Sequence, residues 1–486
     1  MRIMTKLAVA AVALLSVSAV ITPAAQAVTT TSAGNATPSI RWQSCQEPYF
    51  AGLDCGTLRV PVDWARPWSR QIELSLVRRQ ATDPTQRVGS LLLNNSSGRS
   101  SIEQLRYALV SGGLEDTVLD QRFDLVAVDP RGIGHSTPTT CADRPQRAPG
   151  VTYFPASEAQ YRDLVRNNRA LAAACGDRTL LTKLDRASIA RDLEAVRIGL
   201  GERQLNWYGI GWSAVLGKTY EQMFPGRLRT LLADSAEEDT ADPVSRLTSE
   251  ILAAEDSFNR FAAWCRDDAR CALTGQDVGT VFDQLVAKAD RTPIPTTTPG
   301  KALTGEDIRA AMQDKLNLGL FWPKASQAIK KAIDGDATEL ATVNDKTLDF
   351  VQAQTHACVD TPRAASGYAG LTQLARMAKQ LSPHLGGAVL GWRTLAGCQG
   401  WPVPVNAPTP KPVHHFPPTL IAQSTHQSST PYTWGFTLSA TLPGSVVLSR
   451  EGDDYSMYQL SPCVRDAADR LLVHRKLPAP GSLCTT

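Results

Sequence analysis

Several residues of this 486-residue chain have the types and the spacing that chemistry requires. Ser213 lies in Tyr208-Gly-Ile-Gly-Trp-Ser213-Ala-Val, where an apolar run meets a helical pattern. A serine at that junction is a nucleophile if a base takes its proton, or a first-turn residue contacting backbone N–H groups. His135 and His426 follow apolar runs, in loops where an imidazole either moves protons or makes a structural hydrogen bond. Glu451, Asp453, Asp454 and Tyr455 crowd one loop. A carboxylate held beside a phenol and apolar walls has a raised pKa and can act as acid or base; the alternative is a solvated acidic loop. Arg99, after Asn94-Asn95-Ser-Ser-Gly98, can bind a ligand anion or pair with that loop. The candidates for proton transfer are therefore Tyr455, Asp454 and His426. The candidates for ligand contact are Asn95, Arg99, Trp212, Ser213 and Gln427. Trp207 and Tyr208 read as sheet core.

The elements that must position these groups follow from periodicity. Leu58-Arg-Val-Pro-Val and Ile72-Glu-Leu-Ser-Leu alternate as half-exposed strands do. Ser90-Leu-Leu-Leu and Leu125-Val-Ala-Val are short continuous apolar runs, as expected of buried parallel strands. Ile189, Leu193, Val196 and Leu200 share one helical face, predicting a helix over 186–200. Strands at 204–208 and 228–233 flank a helix over 214–223. This β-α-β-α order predicts an α/β chain with a doubly wound, mostly parallel sheet. Helical periodicity then dominates 236–404, read as a helical lid insertion, with a Pro/Thr-rich loop at 292–299. Prolines crowd 403–418 before the last strands at 419–422 and 445–448 and a helix over 464–472.

Composition sets the outer bounds. Hydrophobic residues make up 43% and charged residues 20%, which excludes a disordered, collagenous or coiled-coil chain. Arg2 and Lys6 precede the apolar stretch Leu7–Ile21, too short for an ordinary membrane span, and Ala25-Gln-Ala27 follows. Residues 1–27 read as a cleaved signal peptide with the cut after Ala27, and 28–40 as a flexible leader. The expected protein is secreted and has no membrane span in its mature part. A formal charge of +3, without Lys/Arg runs, leaves no electrostatic footprint for nucleic acid. All ten cysteines follow the leader, and an even count in an exported chain reads as five disulfides. Pairing neighbours would give 45–55, 141–175, 265–271, 358–398 and 463–484, but spacing alone does not decide connectivity. No metal or cofactor is expected: there is no C-x-x-C and the histidines are scattered.

Several stretches resemble the secreted bacterial tripeptidyl aminopeptidase-like members of the α/β-hydrolase superfamily. They are Trp42–Cys45, Leu53-Asp-Cys55 and Val60-Pro-Val-Asp63, then Asp129-Pro-Arg-Gly-Ile-Gly-His-Ser136 and Leu205–Pro225. Cys398-Gln-Gly-Trp-Pro402, Ser461-Pro-Cys463 and Pro478–Cys484 complete the set. The resemblance implies an α/β-hydrolase core in two parts, 41–235 and 405–486, with 236–404 between them. It also implies a serine at a G-x-S-x-G elbow, a histidine base, an orienting acid and a glycine-rich oxyanion loop. On that register the serine position holds Gly211, the acid position Gln427 and the base position Tyr455, while the oxyanion loop reads Asn94–Ser101. The acidic run Glu237–Asp242 falls where such peptidases receive a peptide amine, or else is a polar entry to the helical part.

Two expectations follow, both with a small-molecule or peptide-like ligand. One is a non-hydrolytic enzyme performing cyclisation, elimination, isomerisation or similar proton transfer. The other is a non-catalytic binding protein. A residual hydrolase using Ser213 is a third.

Overall fold

The computed structural model describes residues 38–94, 98–141, 147–239, 242–341, 350–408, 413 and 415–485, without the side chain of Phe350. The signal-peptide segment, most of the 28–40 leader and Asn95 lie outside the described residues.

Continuous apolar runs become the middle of a ten-stranded sheet. Its strands are β1 (Arg41–Ser44), β2 (Asp54–Pro61), β3 (Gln71–Arg79), β4 (Gly89–Asn94), β5 (Phe123–Val128), β6 (Leu205–Ile210) and β7 (Leu228–Asp234). The two-residue strands β8 (Ile294–Pro295) and β9 (Ala302–Leu303) pair separately as a hairpin. β10 (Thr419–Ser424), β11 (Val446–Arg450) and β12 (Leu483–Cys484) complete the large sheet. Its order is β1-β2-β3-β5-β4-β6-β7-β10-β11-β12. The β1–β2, β2–β3 and β3–β5 pairs are antiparallel; every pair from β5–β4 onward is parallel. All residues of β4, β5, β6 and β10 are buried, as strands covered by helices on both faces must be. The 292–299 stretch, expected as loop, contains β8, because Thr296 and Lys301 close a short turn that lets Ile294 bury against Leu303.

Alternate residues supply the two faces. Leu92, Val126, Trp207 and Leu231 pack with Leu193, Val196 and Tyr220. Leu91, Leu125, Tyr208 and Leu232 pack with Leu105 and Leu471 on the other side. Between β7 and β10 the chain is mostly helical, with helices that include Pro243–Asp267, Val278–Arg291, Gly305–Leu316, Trp322–Ile333, Gly367–Leu381 and Leu390–Gly397. These helices have their own core, built on Phe258, Phe261, Phe282, Trp322 and Trp392. The five disulfides join the sequence neighbours: Cys45–Cys55, Cys141–Cys175, Cys265–Cys271, Cys358–Cys398 and Cys463–Cys484.

Candidate functional site

The sheet's C-terminal edge carries a sharp turn from β6 into the helix Trp212–Met223. Gly211 forms its apex with φ 59° and ψ −123°, a conformation that side chains resist and glycine adopts freely. Its N–H donates to Asp234 O at 3.1 Å, and its carbonyl accepts from Ala214 N at 3.1 Å and Glu237 N at 3.2 Å. Gly209 is required for a different reason: a Cβ there would lie 2.8 Å from the Ser213 backbone. Two residues past the apex, Ser213 is 0% exposed. Trp207 Nε1 donates to both its Oγ and its carbonyl, each at 3.2 Å. The hydroxyl thus faces the core beneath the turn, withdrawn from solvent.

Asp234, at the end of β7, ties this turn to the loop carrying Tyr455. Its carboxylate accepts from Tyr208 Oη at 3.0 Å, Met457 N at 2.9 Å and Tyr458 N at 3.0 Å. Burial pushes this carboxyl above the usual range, with the two backbone N–H groups opposing. Tyr455 and Ser456 border a cleft of about 1400 Å³, together with Ile210, Trp212 and Arg99. Ligand pockets usually span ~300–1000 Å³, so the space exceeds what a drug-sized molecule fills.

The other sequence candidates do not reach this cleft. Gln427 is 1% exposed. Its Oε1 accepts from Thr430 N at 2.8 Å and Ser429 Oγ at 3.0 Å, while Nε2 donates to Asn317 O at 3.1 Å. The amide therefore closes its own turn and holds the helical segment; Ser429 and Thr430 border the cleft in its place. His426 points the other way, with Nδ1 2.8 Å from Asp256 and Nε2 3.6 Å from Glu451. Asp454 pairs with Arg450 at 2.9 Å, and Asp453 with Arg260 through two bonds. Burial raises the Asp454 carboxyl's pKa, with Arg450 opposing, but neither acid borders the cleft. Of the three proton-transfer candidates, only Tyr455 faces the cavity. His135 donates its backbone N–H to Asp129 and lies 3.5 Å from Glu103, outside the cleft. Glu237 borders the cleft paired with Arg246, which stacks on Trp434.

Residues 383–484 match the family described as TAP-like protein. Over 92% of its length the chain is 26% identical to the serine protease Hip1 of Mycobacterium tuberculosis, covering 91% of that protein. It is 26% identical to a tripeptidyl aminopeptidase of Streptomyces lividans, covering 92% of this chain and 86% of the relative. It is 29% identical to a carboxylesterase B of Mycobacterium tuberculosis, covering 92% and 90%. The chain has the α/β-hydrolase fold, and its C-terminal part is TAP-like.

Around Asp239, within the acidic run the sequence marked, the cleft gathers charged groups that no sequence motif marked. Arg186 pairs with Asp239 and Asp360, each at 2.7 Å, and Lys218 joins Asp239 at 2.7 Å. Burial pushes the Asp360 carboxyl up to about 6, with Arg186 opposing. Glu250, also raised by burial, accepts from Gln313 Nε2 at 3.0 Å and Gly391 N at 3.1 Å. Arg363 and Arg393 also border the cleft.

His356, 3% exposed, is the buried imidazole of this region. Burial pulls its pKa down to about 4. Its Nε2 has no hydrogen-bond partner among the described residues. The unfolded chain takes up this proton near the ordinary 6.5, so the folded state loses stability as pH falls from 6.5 toward 4. The loss is at most ~1.4 kcal/mol per pH unit. His356→Gln removes that loss. The gap in Tm between wild type and variant is expected to narrow from pH 7 to pH ~4.5; a constant gap would rule the imidazole out as its source.

Proposed function

We propose that this chain binds a small-molecule or peptide-like ligand without forming an acyl-enzyme. On this reading the triad positions are Gly211, Gln427 and Tyr455, and the segment 236–404 serves as a lid. The supporting observation is Gly211 at the apex of the elbow turn: a covalent intermediate needs a nucleophile at that atom, and glycine offers none. Ser213 does not replace it, because its hydroxyl is bound beneath the turn by Trp207. Loss of such a unit typically lowers turnover by about 10⁶-fold. Five disulfides and the basic–apolar–small pattern of residues 1–27 support export to an oxidising compartment.

The test is a fluorophosphonate probe together with peptide p-nitroanilides and p-nitrophenyl acyl esters. No serine labelling is expected, and any ester turnover should be unchanged in Ser213→Ala. Stoichiometric labelling of Ser213 would overturn the proposal. A second reading, proton-transfer catalysis, draws on Tyr455 bordering the cleft. It requires a ligand returned cyclised or isomerised, with conversion abolished in Tyr455→Phe.

A further inference from the structure

We infer that the cleft holds a carboxylate-binding site built on Arg363, for an amphipathic monoanion with an apolar body. The inference rests on the non-covalent binding proposed above and names the class of ligand.

Arg363 borders the cleft and is half-buried. Its Nε and Nη2 are buried atoms with no hydrogen-bond partner among the described residues. No acidic side chain forms an ion pair with it among those residues, and burial pulls its pKa below the ordinary value. Tyr161, the charged-form neighbour that opposes this shift, directs its own hydroxyl to Gln399 at 3.2 Å. A guanidinium withdrawn from water without a counter-charge is unfavourable, and buried cations in folded proteins are otherwise paired. Four other arginines of the cleft follow that rule: Arg106 has Glu103, Arg186 has Asp239 and Asp360, Arg246 has Glu237, and Arg393 has Asp314 at 4.0 Å. Arg363 departs from it.

The missing counter-charge is best supplied by a ligand. A carboxylate can take two N–H groups of a guanidinium side by side once the Arg363 side chain turns that edge toward the cleft. Arg363 brings one positive charge without an acidic partner among the described residues, which matches a monoanion better than a phosphate dianion. The carrier segments are stapled: Cys358, five residues before Arg363, is bonded to Cys398, five residues after Arg393. The rest of the cleft wall suits an apolar body, with Leu395, Leu318, Phe321, Ile210 and Trp212 along it.

Isothermal titration with octanoate, octanamide, octyl phosphate, N-acetyl-trileucine and N-acetyl-trileucinamide tests this. Octanoate or the peptide acid is expected to bind at least tenfold tighter than its own amide; which of the two acids does so separates a fatty-acid source from a peptide terminus. That preference should vanish in Arg363→Met and be partly retained in Arg363→Lys, with the fold of each checked by circular dichroism. Equal binding of acid and amide, a preference that survives Arg363→Met, a preference for octyl phosphate, or no binding of any probe would each overturn the carboxylate site. Should Arg363→Met not fold, the wild-type acid-to-amide ratio and Arg363→Lys decide alone. Cleavage of the trileucinamide would instead sink the non-covalent reading on which the site rests.

Discussion

Methionine in place of Arg131 is expected to destabilise the protein by about 3–5 kcal/mol. Arg131 is 0% exposed. Its Nε and Nη2 donate to the two oxygens of Asp192 at 2.7 and 2.6 Å, and its remaining donors reach Val62 O at 2.8 Å and Pro61 O and Lys183 O at 3.2 Å. The substitution leaves the Asp192 carboxylate buried with only the Trp64 indole as donor, and strips three carbonyls of their N–H partners. Burial already pushes the Asp192 carboxyl above its ordinary range despite Arg131, so without the arginine it must protonate or draw water in. Removing both charges, in Arg131→Met with Asp192→Leu, should recover a large part of the loss, because the uncompensated charge is what destabilises. Guanidinium unfolding of the three variants measures this; a single-variant loss below ~1 kcal/mol would show that the pair is not structural.

Serine at both Cys358 and Cys398 is expected to cost about 4 kcal/mol, from the entropy an unfolded chain regains when a loop of this length is opened. The bond spans 40 residues and its cysteines are 0% and 2% exposed. The same substitution at Cys265 and Cys271, only 6 residues apart, should cost about 2 kcal/mol. The two double variants, compared by thermal unfolding, therefore differ in a stated order, and an inverted order would rule out loop closure as the origin. The larger loop also contains Arg363, so the 358/398 variant should weaken octanoate binding while the 265/271 variant leaves it unchanged.

The central strands were legible because burial on both faces writes itself as an unbroken apolar run, as in Leu91-Leu-Leu and Leu125-Val-Ala-Val. The elbow was legible because Leu205–Pro225 resembles a strand–turn–helix pattern, whose register puts Gly211 at the apex. The loops were not. His426 and Gln427 are adjacent, yet one pairs outward with Asp256 and the other turns inward to Asn317. No periodicity governs a loop, so neighbouring letters cannot say which side faces the cavity. Asp453 looked like a free acid because its partner, Arg260, lies 193 residues away. Arg363 escaped notice for the complementary reason: what sets it apart is a missing partner, which exists only once every element is in place.

The strand order has a kinetic consequence. Leu231 of β7 pairs with Thr419 of β10, across the whole helical segment. Until those intervening residues have condensed, β7 presents a row of unpaired amides and carbonyls, the kind of template on which chains aggregate. Closing so long a loop before its contacts reward it slows this pairing relative to the local ones. A chain emerging amino-end first would therefore spend its most vulnerable interval with seven of the ten strands assembled, its remaining edge awaiting the last three.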